Sequence, residues 1–330
     1  MWLSTGRAGG IEGPMKPAAL PRVVTLTLNP AIDGSSEAVD VRPTVKVRTA
    51  GERFDPGGGG INVARVLERL GTPAEAVCMG GGVTGPLLGG LLERVGLRHR
   101  LVPIAGDTRI SMVVRERASG LEYRFVPEGP LVSPAECARV LDLVGGLDCG
   151  WLVLSGSLPR GEPEDFYARI VAVAAPRGIR VVLDTSGEAL KAALAAGGVH
   201  LVKPSLEEME QAVGQPLADP QDLARAASAP VARGAARLVA VSRGAQGALL
   251  AWPGGVLDLP AIRVEAKSAV GAGDSFVAGM VHALAAGWRE ADAFRLGVAA
   301  GTAAVLTPGT ELCHRVDVVR LAEGLGLAAV

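Results

Sequence analysis

Short apolar runs rich in β-branched residues recur along the chain at Arg22 to Leu28, Ala74 to Met79, Trp151 to Leu154, Arg180 to Leu183, His200 to Val202 and Arg237 to Val241. Apolar runs this short, with no polar alternation, read as strands buried on both faces. Helical stretches lie between them, at Ile61 to Leu70, Pro86 to Val95, Pro163 to Ala175, Gly187 to Ala196 and Asp219 to Ala232. This alternation predicts an α/β fold built on a doubly wound, mostly parallel sheet. Beyond residue 273 the pattern turns wholly helical, at Asp274 to Ala286, Trp288 to Leu306 and Val316 to Leu325, so helices are expected to close one side of the sheet.

Two segments break the alternation. Over residues 33–54 and 108–126, charged residues are interleaved with apolar ones, as in Val45-Lys46-Val47-Arg48 and Met112-Val113-Val114-Arg115. They read as half-exposed antiparallel strands forming a small sheet off the main body, suited to a substrate lid or a dimer surface. Residues 1–20, rich in Gly, Ala and Pro, read as a flexible extension, and 21–330 as the folded unit.

With 48% apolar residues in 330, the chain can bury a large core. Its 33 basic and 34 acidic residues leave no electrostatic case for a nucleic-acid partner. No apolar stretch approaches a membrane span, and Cys78, Cys137, Cys149 and Cys313 lack metal or disulfide spacing. A reducing cytoplasm is the expected setting. The four histidines, at 99, 200, 282 and 314, form no metal-binding pattern.

The strongest chemical signal is Ser268-Ala269-Val270-Gly271-Ala272-Gly273-Asp274-Ser275-Phe276, a turn of small residues opening a helix. Its backbone can approach a ligand closely, and the uncapped N–H groups at the helix end favour phosphate. Asp274 stands where a carboxylate could take the proton of an attacking hydroxyl. A plain helix N-cap is the competing reading. The second signal, Asp55-Pro56-Gly57-Gly58-Gly59-Gly60-Ile61-Asn62, runs four glycines into a helix expected to begin near Ile61. It suggests close approach to a polyhydroxylated or anionic ligand, with Asn62 facing the same space, although a flexible connection would also use such glycines.

Gly80-Gly81-Gly82-Val83-Thr84-Gly85 formally satisfies GxGxxG. It does not follow the first strand and has no clearly placed acidic residue on the next strand end, so the dinucleotide reading is set aside. Lys46, Arg48 and Arg109 in the lid segments either grip a substrate phosphate or are solvated charges. Lys203, in Leu201-Val202-Lys203-Pro204-Ser205-Leu206-Glu207-Glu208, ends a strand on the side where open α/β sheets bind ligands. Glu208 could hold a hydrated Mg²⁺ through water, or simply complement the helix dipole.

Taken together, GGGGINVAR, GSLP at Gly156 to Pro159, VKPS, VSRGAQGAL at Val241 to Leu249, and VGAGDS resemble the PfkB family of carbohydrate kinases, collinearly from about Pro21 to the end. Thr25 to Leu28, the unbroken GGGG, Tyr123 to Val126, Asp184 to Leu190 and Gly309 to Cys313 resemble its minor 6-phosphofructokinase branch. Leu28-Asn29-Pro30-Ala31-Ile32-Asp33 is shared with the 1-phosphofructokinases.

The resemblance implies a ribokinase-like three-layer αβα sandwich with a small β-sheet lid, and phosphorylation of fructose 6-phosphate by ATP with Mg²⁺. It implies Asp274 as base and Gly271, Ala272 and Gly273 as an anion hole. Asp33, Gly58, Gly59, Asn62 and Ser157 would contact the sugar, Lys46 and Arg109 its phosphate, and Arg48 the neighbouring subunit of a lid-to-lid homodimer. Lys203, Ser205, Ser242, Gly244, Gly247 and Ser268 would line the nucleotide site. Ser205 replaces the Asn of the family's NxxE element, and Thr307 and Glu311 replace residues of a K⁺ site. Kinases of fructose 1-phosphate or tagatose 6-phosphate, and a non-catalytic nucleotide-binding regulator, are the alternatives.

Overall fold

The strand runs pair, in a computed structural model that describes residues 20–327, into one large sheet. The extension expected over residues 1–20 lies, but for Leu20, outside the described residues. The first half of the chain supplies β1 (Val23–Thr27), β2 (Ala31–Ala38), β3 (Thr49–Gly57), α1 (Gly59–Leu70), β4 (Ala74–Gly81), α2 (Gly85–Arg94), β5 (His99–Ile104), β6 (Arg109–Glu116), β7 (Glu122–Phe125) and α3 (Pro134–Gly145). It continues with β8 (Trp151–Ser155), α4 (Phe166–Ala174), β9 (Arg180–Asp184), α5 (Gly187–Ala196), β10 (Val199–Val202), α6 (Leu206–Val213), α7 (Pro220–Ala232) and β11 (Ala236–Ser242). The hairpin β12 (Ala248–Trp252) and β13 (Gly255–Leu259) precedes α8 (Ala272–Ala285), α9 (Glu290–Ala304) and α10 (Arg315–Gly324).

The nine-stranded sheet has the order β13-β12-β11-β10-β9-β8-β1-β4-β5. All pairings from β11 to β5 are parallel, and only the terminal hairpin is antiparallel. Side chains of β1 such as Val23 face α1, α8, α9 and α10, while Val24 and Leu26 face α3, α4 and α5. The two apolar layers make the expected three-layer sandwich. The chain winds outward from β1 to β4 and β5 and later returns to β8 on the other flank. That reversal opens a crevice at the carboxyl ends of β1 and β8, the place where such sheets bind ligands.

The small sheet has the order β3-β2-β6-β7 and corrects one expectation: β2 and β6 run parallel. The chain leaves β3 through α1, β4, α2 and β5 and re-enters on the far side of β2, where a long crossover, unlike a tight hairpin, leaves it able to pair in the direction of β2. Residues 39–48, expected within an extended stretch, form a largely exposed loop instead. Helix α3 was not anticipated, although its signal was present. Ser133 accepts from the Glu136 N–H while Glu136 accepts from the Ser133 N–H, a capping box with Pro134 as the first helical residue. The four cysteines are unpaired, and among the described residues no helix is long and apolar enough to cross a membrane.

Candidate active site

Two helix N-termini meet over the crevice. Helix α1 starts two residues earlier than expected, so Gly59 and Gly60 form its first turn behind the N-cap Gly58, whose φ of 118° is open to glycine. A Cβ on Gly59 would overlap Ser155 Oγ and stand 3.1 Å from Asp274 Oδ1. A Cβ on Gly60 would be 2.5 Å from Thr27 Oγ1. These glycines are therefore required by close packing over the ends of β1 and β8, which removes the flexible-connection reading.

Helix α8 has Gly271 as its N-cap, at φ 71°, with no side chain capping it. Asp274 is the third helical residue and not the cap, so the competing cap reading fails. Its carboxylate accepts instead from Asn62 Nδ2 at 2.9 Å across the crevice. Burial and the neighbouring Asp184 push the Asp274 carboxyl up to about 7, against the lowering effects of Asn62 and Lys203. A carboxylate held there is matched to proton abstraction near neutral pH.

Lys203 follows β10 and is buried, with Nζ 3.1 Å from Asp184 Oδ1. Burial works against its charge, yet the carboxylates of Asp184, Glu208 and Asp274 outweigh it and hold the ammonium above its ordinary range. Ser155 donates to the second Asp184 oxygen at 3.2 Å. Asp184 carries no motif of its own; its one sequence signal is its place at the end of β9, on the same ligand-facing edge as Lys203.

Ser205 and Glu208 form a capping box on α6, with the Ser205 N–H donating to Glu208 Oε2 at 2.7 Å. The serine thus caps α6, and the structural reading of Glu208 holds for that oxygen. Ser205 and Ser242 are bridged where the Ser242 N–H meets the Pro204 carbonyl at 3.0 Å. Lys203, Ser205, Ser242, Gly244 and Gly247 thus gather around the ends of β10 and β11 and the turn into β12. Ser268 is drawn elsewhere: its hydroxyl donates to the Gly309 carbonyl at 2.8 Å and accepts the Val270 N–H at 3.2 Å, tying the tail to the turn before α8. The Thr307 hydroxyl likewise stays within the tail, set between the carbonyls of Ala304 and Glu311, to one of which it donates.

On the other side of the crevice, Asp33 projects from β2 beneath Gly57, where any Cβ would overlap its carboxylate. Burial raises its pKa, Arg109 opposes this, and Asp55, its register partner on β3, adds to it. Arg109 donates to the carbonyls of Asn29 and Pro127, both at 2.9 Å. Lys46 and Arg48 are not brought to it within one protomer. Arg109 pairs with Ala31 at one end of β2, and the 39–48 loop leaves the other end at Ala38, roughly 23 Å away at about 3.3 Å per residue.

The glycines of the Gly80–Gly85 turn are accounted for by packing within the chain. Asp107 already accepts the Val83 N–H at 2.7 Å, and a Cβ on Gly81 or Gly82 would strike Ile104 or Asp107. Among the described residues no group of three or more His, Cys, Asp or Glu side chains is set to hold a metal alone. Asp184 and Glu208 both place negative charge beside Lys203, so a divalent cation in this crevice would be held through water and phosphate oxygens and not by the protein alone.

The chain is 44% identical over 306 residues to ATP-dependent 6-phosphofructokinase isozyme 2 of Mycobacterium tuberculosis, covering 92% of this chain and 89% of that protein. It is 39% identical over 301 residues to the Escherichia coli protein of the same name, covering 91% and 97%. A 1-phosphofructokinase of Xanthomonas campestris is 38% identical over 268 residues, covering 80% and 84%. Phosphofructokinase-2 from E. coli in complex with potassium superposes with a TM-score of 0.90 at 39% identity, over 93% of this chain and all of that one. The same enzyme with fructose-6-phosphate gives 0.88 at 38% over the same shares. Arabidopsis thaliana ribokinase, at 19% identity and TM-score 0.71 over 92% of this chain and 99% of that one, shares the fold, which is ribokinase-like. The model of the pfkB family carbohydrate kinases matches residues 24–316. Matched over residues 24–316 by that model and 44% and 39% identical to two such enzymes over nine-tenths of its length, the chain belongs to the PfkB family of carbohydrate kinases and is a sugar phosphotransferase.

Proposed function

We propose that the protein transfers the γ-phosphoryl group of ATP to the free primary hydroxyl of fructose 6-phosphate, giving ADP and fructose 1,6-bisphosphate. The observation that carries this reading is Asp274, pushed up to about 7 at the uncapped start of α8 and faced by Asn62. The hydroxyl oxygen forms the new bond to phosphorus, the bond to ADP breaks, and the hydroxyl proton passes to Asp274. The N–H groups of Gly271, Ala272 and Gly273 line the end of α8 where charge would develop, and Lys203 supplies a fixed positive charge beside it. Positioning and electrostatics account for most of the acceleration, with the base contributing about 10²–10⁴-fold.

Asp33, Gly58, Gly59 and Asn62 would orient the sugar, and Arg109 with Ser157 its phosphate. Lys203, Ser205, Ser242, Gly244 and Gly247 would line the nucleotide side, with Ser268 bracing the turn. Mg²⁺, held through water by Asp184 and Glu208, would screen the phosphate charge. K⁺ would act on the tail loop that Ser268 fastens to the α8 turn. A cytoplasmic enzyme is implied, since ATP and sugar phosphates are found there.

The remote placement of Lys46 and Arg48 fits a homodimer in which each small sheet serves the other protomer. Val39, Val45, Leu121, Phe125 and Val126 on and beside that sheet are each about 60% exposed, an apolar face of the kind that subunits cover.

The substrate assignment leans on the names of the two relatives at 44% and 39% identity. The test is ADP release with Mg-ATP against fructose 6-phosphate, fructose 1-phosphate, tagatose 6-phosphate and fructose, compared by kcat/KM. Fructose 6-phosphate should lead. A lead by either other phosphate would keep the chemistry and change the substrate, and silence on all four would favour a non-catalytic regulator.

A further inference from the structure

Asn29, directly beyond β1, is 4% exposed and holds several parts of the sugar side together. Its Nδ2 donates to the Glu128 carbonyl at 2.9 Å and to Ser157 Oγ at 3.2 Å. Its own backbone carbonyl accepts from Arg109 Nη2, while Arg109 Nη1 donates to Pro127, one residue before Glu128. The side chain therefore joins the end of β1, the 127–129 strap, the loop after β8 and, through the main chain, the guanidinium of β6.

The direction of these bonds matters. A backbone carbonyl can only accept, so the amide NH₂ must face Glu128 and therefore Ser157. Ser157 Oγ then receives a hydrogen bond from Asn29 and keeps its own proton for another acceptor. Ser157 is exposed, so that proton is accessible to an acceptor from outside the chain. Asn29 Oδ1, by contrast, is buried without a partner, tight against Gly129.

We infer that the Asn29 side chain is a positioning group that fixes Ser157 as a hydrogen-bond donor to an oxyanion of the substrate, the phosphate of a phosphorylated sugar. The inference rests on the sugar-phosphate reading of this site. It predicts that the amide is needed for grip on the sugar phosphate and is indifferent to the nucleotide.

The test is a double-mutant cycle of Asn29→Ala and Ser157→Ala, with kcat and both KM values measured using fructose 6-phosphate and ATP. Asn29→Ala should raise the sugar-phosphate KM about tenfold, the scale of a hydrogen bond to a charged group, and leave the KM for ATP unchanged. In the Ser157→Ala background the same change should have a much smaller effect. If Asn29→Ala does not fold, as read by thermal melting, the isosteric Asn29→Asp replaces it. Its carboxylate would accept the Ser157 proton and reverse the bond, and its effect should shrink in the same way. Independent effects of the two substitutions, or equal shifts in both KM values, would overturn the inference while leaving an active wild type intact. A wild type silent on every sugar phosphate would overturn the underlying functional reading as well.

Discussion

Asn62, on the first turn of α1, donates its side-chain amide to Asp274, on the first turn of α8, at 2.9 Å. The bond joins two helices that are far apart in sequence. It also stabilises the charged form of a carboxylate whose burial favours the neutral one. Asn62→Leu should therefore move the Asp274 pKa above about 7. The acid limb of the kcat/KM profile should shift to higher pH, and activity at pH 6 should fall more than activity at pH 8. An unmoved limb would separate Asp274 from the observed titration.

Asp274→Asn should leave ATP binding intact, as judged by calorimetry, and lower turnover by about 10²–10⁴-fold. It should also change stability in a pH-dependent way. The folded-state carboxyl, at about 7, lies above the ordinary value of 3.8. Between those values the folded protein binds more protons than the unfolded chain, so its stability falls as pH rises through that window. The amide variant has no such charge to bury. Its melting temperature should exceed that of the wild type at pH 8, and the gap should close towards pH 4.

Glycine-to-alanine changes should separate close approach from backbone freedom. Gly59→Ala places a methyl against Ser155 Oγ and Asp274 Oδ1, so turnover should collapse by at least about tenfold even where the fold survives. Gly71→Ala, at the C-cap of α1 with φ 94° and open space around it, should cost roughly 1 kcal/mol of stability and leave kcat unchanged. Chemical denaturation and steady-state rates on the same preparations check both.

If Lys46 serves the partner's site, Lys46→Ala and Arg109→Ala homodimers should each be weakly active. Subunit exchange between them should restore one intact site per hybrid. In a statistical mixture, half the dimers are hybrids with one of two sites working, so roughly a quarter of wild-type activity should return. No recovery on mixing, with exchange verified by mass, would place Lys46 in its own protomer's site or outside the chemistry.

Apolar run length and β-branching were enough to predict the buried parallel strands, because β1, β8 and β9 are shielded on both faces and carry no competing polar pattern. The half-exposed edge strand β5 and the outer hairpin strand β13 were not legible in this way, since their alternating exposure resembles loop sequence. Asp274, Lys203 and the glycine turns stood out because each lies at a junction between element types, which the sequence displays directly.

The sequence by itself determined the layered fold, the family and the small-residue turns, since these depend on local periodicity and on motifs a few residues long. Only the tertiary structure decided that Asp274 is bonded by Asn62, that Asp184 pairs with Lys203, that the Asn29 amide donates to Ser157, and that Lys46 lies at the far end of the small sheet from Arg109. Each of these depends on contacts between strands and helices distant in the chain. Sequence spacing carries no information on which termini converge at a sheet's switch point, or on the direction in which a returning strand will pair.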